Sequence, residues 1–178
     1  MKGIIFNLLE DVMVEADGDR SWDEALDQAG LDGVYTSLGN YDDAELMKLV
    51  AVVATIRSVS EDQALRWFGQ RAIPEMVRRW PDFFTPHDST VPFLRTLNSV
   101  IHPEVRKLYA GAYCPHFDFT SPDDESLVIG YRSPRQLCDL AHGFILGAGD
   151  HYGEALDVRH LECMHRGSDR CRLAIGPA

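Results

Sequence analysis

His102, the row Tyr131, Ser133 and Arg135, and the set Cys138, His160, Cys163 and Cys171 are the side chains whose types and spacing could do chemistry. His102 follows Phe93, Leu94, Leu97, Val100 and Ile101, whose spacing places them along one helical face, so its imidazole should stand in or beside a buried stripe. An imidazole so placed needs a partner. A backbone carbonyl or a water is the usual one, and a metal is the alternative, because imidazole is its commonest protein ligand. Pro103 lacks the N–H that would reach the carbonyl of Ser99 and is expected to kink or end the helix beside the histidine.

Tyr131 and Ser133 are two residues apart, which puts them on one face of a strand. Arg135 adds a planar fork suited to carboxylates, a geometry lysine cannot copy. Taken singly, each has a plainer role: Ser133 before Pro134 as a helix N-cap, Tyr131 as a strand aromatic, Arg135 as a solvated first-turn residue. Thiolates and imidazole suit tetrahedral zinc. The spacing His160-x2-Cys163-x7-Cys171 is not a standard finger, however, and residues 160 and 163 face opposite sides of a regular strand. A bulge or strand end near Cys163 is therefore required, and His165 is a substitute ligand. A Cys163–Cys171 pair across a hairpin, or three buried thiols, accounts for the same residues.

The run His102-Pro103-Glu104-Val105-Arg106-Lys107-Leu108-Tyr109, followed by Tyr131-Arg132-Ser133-Pro134-Arg135, resembles the haem nitric oxide/oxygen-binding (H-NOX) family, and the similarity extends over essentially the whole chain. That family carries its proximal haem histidine in the first motif and a Tyr-x-Ser-x-Arg propionate clamp in the second. The resemblance implies that haem b is held by His102, with Tyr131, Ser133 and Arg135 on its propionates, Pro115 against it and Cys114 near its edge. It implies that Leu140, with Phe144 one turn on, faces the gas where oxygen-binding members carry a tyrosine. It implies one structural zinc on Cys138, His160, Cys163 and Cys171, as in a subset of the family. Nitric oxide binding would lengthen or break the iron–histidine bond and shift the helix around His102.

Composition narrows the alternatives. The 45% hydrophobic and 10% aromatic content of these 178 residues is that of a folded protein. With 28 acidic and 17 basic side chains the net charge is −11, which makes nucleic acid and anionic lipid unfavourable partners. No apolar run approaches the roughly 18 residues of a membrane span, and the start lacks a signal peptide's pattern, so the expected location is cytoplasmic. Four cysteines in a cytoplasmic chain suggest metal or redox chemistry, or ordinary burial, rather than a disulfide scaffold.

The elements that must position these residues are expected as follows. A first helix runs from Met1 to about Val14; a second opens at a Ser21/Glu24 capping box and ends at Gly30; Asp32 to Tyr41 is a loop. A third helix opens after Asp42, and a fourth at the Ser60/Gln63 capping box, interrupted by Pro74 and continuing to Trp80. Tyr113 to Phe119 and Ser126 to Tyr131 form a hairpin around the turn at Ser121 to Asp124. A helix capped by Ser133 and opened by Pro134 runs to about His151, with His142 two residues off its apolar face. Strands near Val158 to Met164 and Arg170 to Ile175 flank a turn at Arg166 to Asp169.

The fold class expected is α/β (α+β): an N-terminal helical subdomain, about 1–65, packed over an antiparallel sheet with its long helix, 66–178, with haem between them in one domain of 1–178. The function implied is a haem-based sensor of nitric oxide and carbon monoxide that forms no stable dioxygen complex and is not an enzyme. Its output would pass to a separate chain, a histidine kinase or a cyclic-dinucleotide enzyme. Three alternatives stand beside it: a haem peroxidase, which Leu140 and Phe144 disfavour; a haem-free small-molecule-binding module; and a cysteine/zinc redox sensor.

Overall fold

The computed structural model describes residues 1–121 and 127–178, so most of the expected turn at Ser121 to Asp124 lies outside the described residues. Four helices come first: α1 Gly3–Asp17, α2 Ser21–Ala29, α3 Asp43–Arg57 and α4 Glu61–Arg79. Their starts follow local chemistry. The Asp42 carboxylate accepts the N–H of Ala44 at 2.9 Å, and Ser60 with Gln63 forms the reciprocal capping box. The expected box at Ser21 does not form: Arg20 is the N-cap, Ser21 is already helical, and its hydroxyl is buried without a partner among the described residues.

Pro74 does not interrupt α4. The carbonyl its missing N–H would have bonded belongs to Gln70, and that oxygen lies against Gly147 of the later helix α7, Cys138–Tyr152. A Cβ at Gly147 would stand 2.5 Å from it, and one at Gly143 would stand 2.2 Å from the carbonyl of Arg66. The two helices therefore meet backbone to backbone, an approach that only glycine permits.

After a 3-10 turn at Pro81–Phe83 comes α5, Thr90–Arg95, then a π-turn at Leu97–Ile101 and α6, His102–Leu108. Here the expectation is corrected. Pro103 starts α6 rather than ending a helix, because its missing N–H falls in the first turn, where no intrahelical bond is required. The irregularity lies before His102, and the extra residue per turn swings Val100 outward to 47% exposure, off the buried stripe.

The sheet is antiparallel in the order β1-β2-β4-β3, formed by β1 His116–Thr120, β2 Leu127–Arg132, β3 Leu156–Glu162 and β4 Cys171–Pro177. The helix expected to begin at Ser133 begins at Cys138 instead. Ser133 to Gln136 is a turn: the Gln136 N–H reaches the Ser133 carbonyl at 3.1 Å, and Gln136 has a left-handed φ of 52°, which no helix start tolerates. Buried apolar side chains form two clusters that meet within α4, Phe68 and Ala72 belonging to the helical one and Ile73 to the one over the sheet. Among the described residues no helix is long and apolar enough to cross a membrane.

Candidate functional site

Between the two clusters lies an apolar cavity of about 280 Å³. Its lining includes every residue that the sequence assigned to haem: His102, Pro115, Tyr131, Ser133, Arg135, Leu140 and Phe144. Cys114 lines it as well, its thiol pKa raised by burial against the opposing pull of Arg106 and Arg135. His142 does not line it.

His102 enters from α6 with its ring stacked on Phe117 of β1, centroids 5.6 Å apart. Its Nδ1 is buried with no hydrogen-bond partner among the described residues. Burial, with help from Arg106 and His116, drives its pKa down to about 4, so the ring is neutral imidazole, the form that ligates metals. An unpartnered buried nitrogen is costly, and few protein structures retain one without a use.

The other end of the cavity is polar. The Tyr131 phenol accepts the N–H of Leu137 at 3.0 Å, and the Ser133 hydroxyl accepts the N–H of Arg135 at 3.2 Å. Burial pushes the Tyr131 pKa up to about 12, so this hydroxyl, like that of Ser133, keeps a proton to donate. Arg135 is oriented by residues distant in sequence: its Nε donates to Asp43 at 2.7 Å and its Nη1 to the carbonyl of Tyr113 at 3.0 Å. Burial alone would raise the Asp43 carboxyl, but the Met1 ammonium and Arg135 outweigh it and hold Asp43 below its ordinary value. Lys2 is buried nearby and donates to the carbonyls of Leu38 and Ala110, at 2.5 and 3.1 Å. The sequence alone does not reveal Asp43 and Lys2, for which no local motif exists.

On the walls from α1 and α7 the lining side chains, Ile4, Ile5, Leu8, Leu140, Ala141, Phe144 and Ile145, carry no hydrogen-bond donor. A planar apolar macrocycle with two carboxylates would find here a neutral imidazole, greasy walls and a polar end with a fixed guanidinium. The residues present fit haem.

The other three cysteines gather on the far side of β2. Cys138 and Cys163 sulfurs are 3.8 Å apart, and Cys163 and Cys171 sulfurs 3.9 Å, unbridged. Ligands about 2.3 Å from one tetrahedral centre lie roughly 3.8 Å apart, so this spacing suits zinc. His160 is not brought into that group. The required bulge is present, between His160 and Glu162, yet the His160 Nε2 lies 3.1 Å from His142 Nδ1 and 3.7 Å from Asp139. His165 lies within reach of Cys138 and Asp139, its Nε2 bonded to the Gln136 carbonyl at 2.7 Å. Arg66 holds Asp139 Oδ1 at 2.8 Å, so the carboxylate beside the hydrogen-bonded His142–His160 pair already has a resident cation.

The model of the haem-NO-binding family matches residues 2–160, and the chain belongs to that family. An H-NOX protein from S. oneidensis, solved in the Fe(II)NO ligation state, is 35% identical with a TM-score of 0.91, covering 100% of this chain and 99% of that one. An H-NOX domain from Shewanella oneidensis in the Fe(II)CO state is 34% identical with a TM-score of 0.89, over 100% and 99%. The unliganded Fe(II) H-NOX protein from K. algicida is 25% identical with a TM-score of 0.85, over 100% and 97%. Among curated proteins none matches. Cys163 and Cys171 lie beyond the stretch that the family model covers.

Proposed function

We propose that this protein is a haem-based sensor of nitric oxide and carbon monoxide that forms no stable dioxygen complex, catalyses no reaction, and regulates a separate signalling protein in the cytoplasm. Haem supplies one open iron position to a diatomic gas. His102 supplies the neutral imidazole that ligates the iron. Tyr131, Ser133 and Arg135 hold the propionates, and Pro115 packs against the ring. Leu140 and Phe144 wall the gas side without offering a donor.

The observation that carries the reading is that a buried imidazole without a partner and the Tyr131, Ser133, Arg135 row open on one apolar cavity. The Shewanella relatives solved with nitric oxide and carbon monoxide on Fe(II) support the choice of gases. The chain acts as one unit of 1–178, in which the helical subdomain, residues 1–65, is tied to the haem-cradling subdomain, residues 66–178, through the Asp43–Arg135 ion pair. A shift around His102 therefore reaches the surface of both subdomains, where a histidine kinase or a cyclic-dinucleotide enzyme reads it. Cys138, Cys163 and Cys171 hold one structural zinc, with His160 turned from His142 to complete it.

The test is the visible spectrum of the ferrous protein before and after nitric oxide, and again in air. A haem band that moves with nitric oxide and carbon monoxide and not with air supports the sensor. A colourless protein with a full complement of zinc overturns it in favour of a haem-free module.

A further inference from the structure

We infer that Asn98 is a positioning residue for His102: its side-chain amide fastens the π-turn to edge strand β1 at two points and keeps the imidazole from following its metal. This rests on the haem reading above. In the π-turn the N–H of Ile101 reaches back five residues to the carbonyl of Thr96 at 3.1 Å, and that of His102 reaches Leu97. Pro103, next in line, has no N–H to continue the ladder. Such a wide turn is less favourable than α-helix and persists where other contacts hold it.

Asn98 provides the hold. Its Nδ2 donates to the carbonyl of Phe117 at 2.5 Å, and its Oδ1 accepts the N–H of the same residue at 3.3 Å. β1 is an edge of the sheet, so these two backbone groups face away from β2 and have no strand to pair with. One amide takes the place of the missing neighbour. Phe117 in turn offers its ring to His102, so the turn before the histidine and the face beside it are fixed through a single strand residue.

On the other side of His102 the hold is farther off. α6 ends at Leu108 and gives the cavity His102, Val105 and Leu108, and the next fastening comes at Ala110, whose carbonyl the Lys2 ammonium meets at 3.1 Å. A pull on the imidazole is therefore met first at Asn98, four residues before it, and only eight residues after it at Ala110. A histidine so held would part from a ligated iron more readily than one free to follow it.

The test uses the full haem-loaded chain carrying Asn98→Ala, Asn98→Asp, or Ser99→Ala as an exposed neighbour on the same turn. Unmutated protein with nitric oxide is expected to be predominantly five-coordinate by its visible spectrum. Asn98→Ala should raise the six-coordinate fraction severalfold and speed hydrogen exchange at the Phe117 amide about tenfold, as loss of one buried hydrogen bond predicts. Asn98→Asp still accepts the Phe117 N–H but cannot donate to its carbonyl. With an acceptor facing that carbonyl it should raise the six-coordinate fraction at least as far, and it carries the test alone where the alanine variant does not fold. Ser99→Ala should match the unmutated chain. Faster exchange with an unchanged six-coordinate fraction overturns the inference, as does an unmutated protein that is already six-coordinate. A protein that takes up no haem overturns the sensor reading and the inference together, an outcome distinct from either of those.

Discussion

Tyr131 and Cys171 stand directly opposite each other across β2 and β4. From the other side of β2, Phe117 is the register partner of Tyr131. One row across the sheet thus runs from the ring stacked on His102, through Tyr131, to the cysteine group. The Tyr131 hydroxyl also holds the N–H of Leu137, the residue before Cys138. The cavity and the cysteine site share a strand and a turn, so each substitution below is paired with a readout that tells them apart.

His102→Gly is expected to lose nearly all bound haem and to regain it when imidazole is added to the medium. Absorbance of the haem band per chain measures both steps. Full retention without imidazole would remove His102 from the iron.

Bound dioxygen carries negative charge on its outer atom and is held when a donor reaches it. Leu140 is 6% exposed and lines the cavity wall from α7. A phenol there adds one neutral hydrogen bond in a dry site, on the order of 1 kcal/mol or somewhat more, or about tenfold in affinity. Leu140→Tyr should therefore show an oxygen-bound spectrum that the parent protein lacks. A stable oxygen complex in the parent would point to a donor elsewhere in the cavity.

Elemental analysis should find about one zinc per chain alongside iron, by the four-ligand argument. Cys171→Ala should release it and lower Tm by roughly 5 °C, taking about 2 kcal/mol for a chain of this size. The haem band should persist, since the cysteine is on the far side of Tyr131. An unchanged Tm with no metal in the parent would return the three thiols to ordinary burial.

Asp43 gives the pH dependence. Its folded pKa lies below that of an unfolded aspartate, so its contribution is fully present above about pH 4 and is lost as pH falls through the folded value. Asp43→Asn should be less stable than the parent at neutral pH, with the gap closing as the medium is acidified below pH 4. Urea unfolding across pH 3 to 7 measures that gap, and a gap constant with pH would contradict the ion pair.

Local chemistry written in consecutive residues was readable in advance. Asp42 and the Ser60/Gln63 box open their helices as their side chains dictate, and the His102 and Tyr131-to-Arg135 motifs meet in one cavity. What escaped depends on residues far apart. Ser133 and Pro134 look like a helix start, and only the left-handed Gln136 defers the helix to Cys138. Asp43 reaches Arg135 across ninety-two positions, and His160 meets His142 on α7, with Asp139 and its Arg66 partner beside the pair. No pattern of neighbouring letters encodes such meetings.

The hold that Asp43 and the Tyr113 carbonyl keep on Arg135 also bears on affinity. A free arginine gives up roughly 2 kcal/mol of rotamer entropy when it is pinned by a ligand. Here the pinning takes place when the chain folds, because the Nε and Nη1 donors are already engaged. On the proposed haem reading, a carboxylate arriving at Arg135 would meet a guanidinium with little disorder left to lose, and cofactor capture would be tighter for an ion pair that never touches the cofactor.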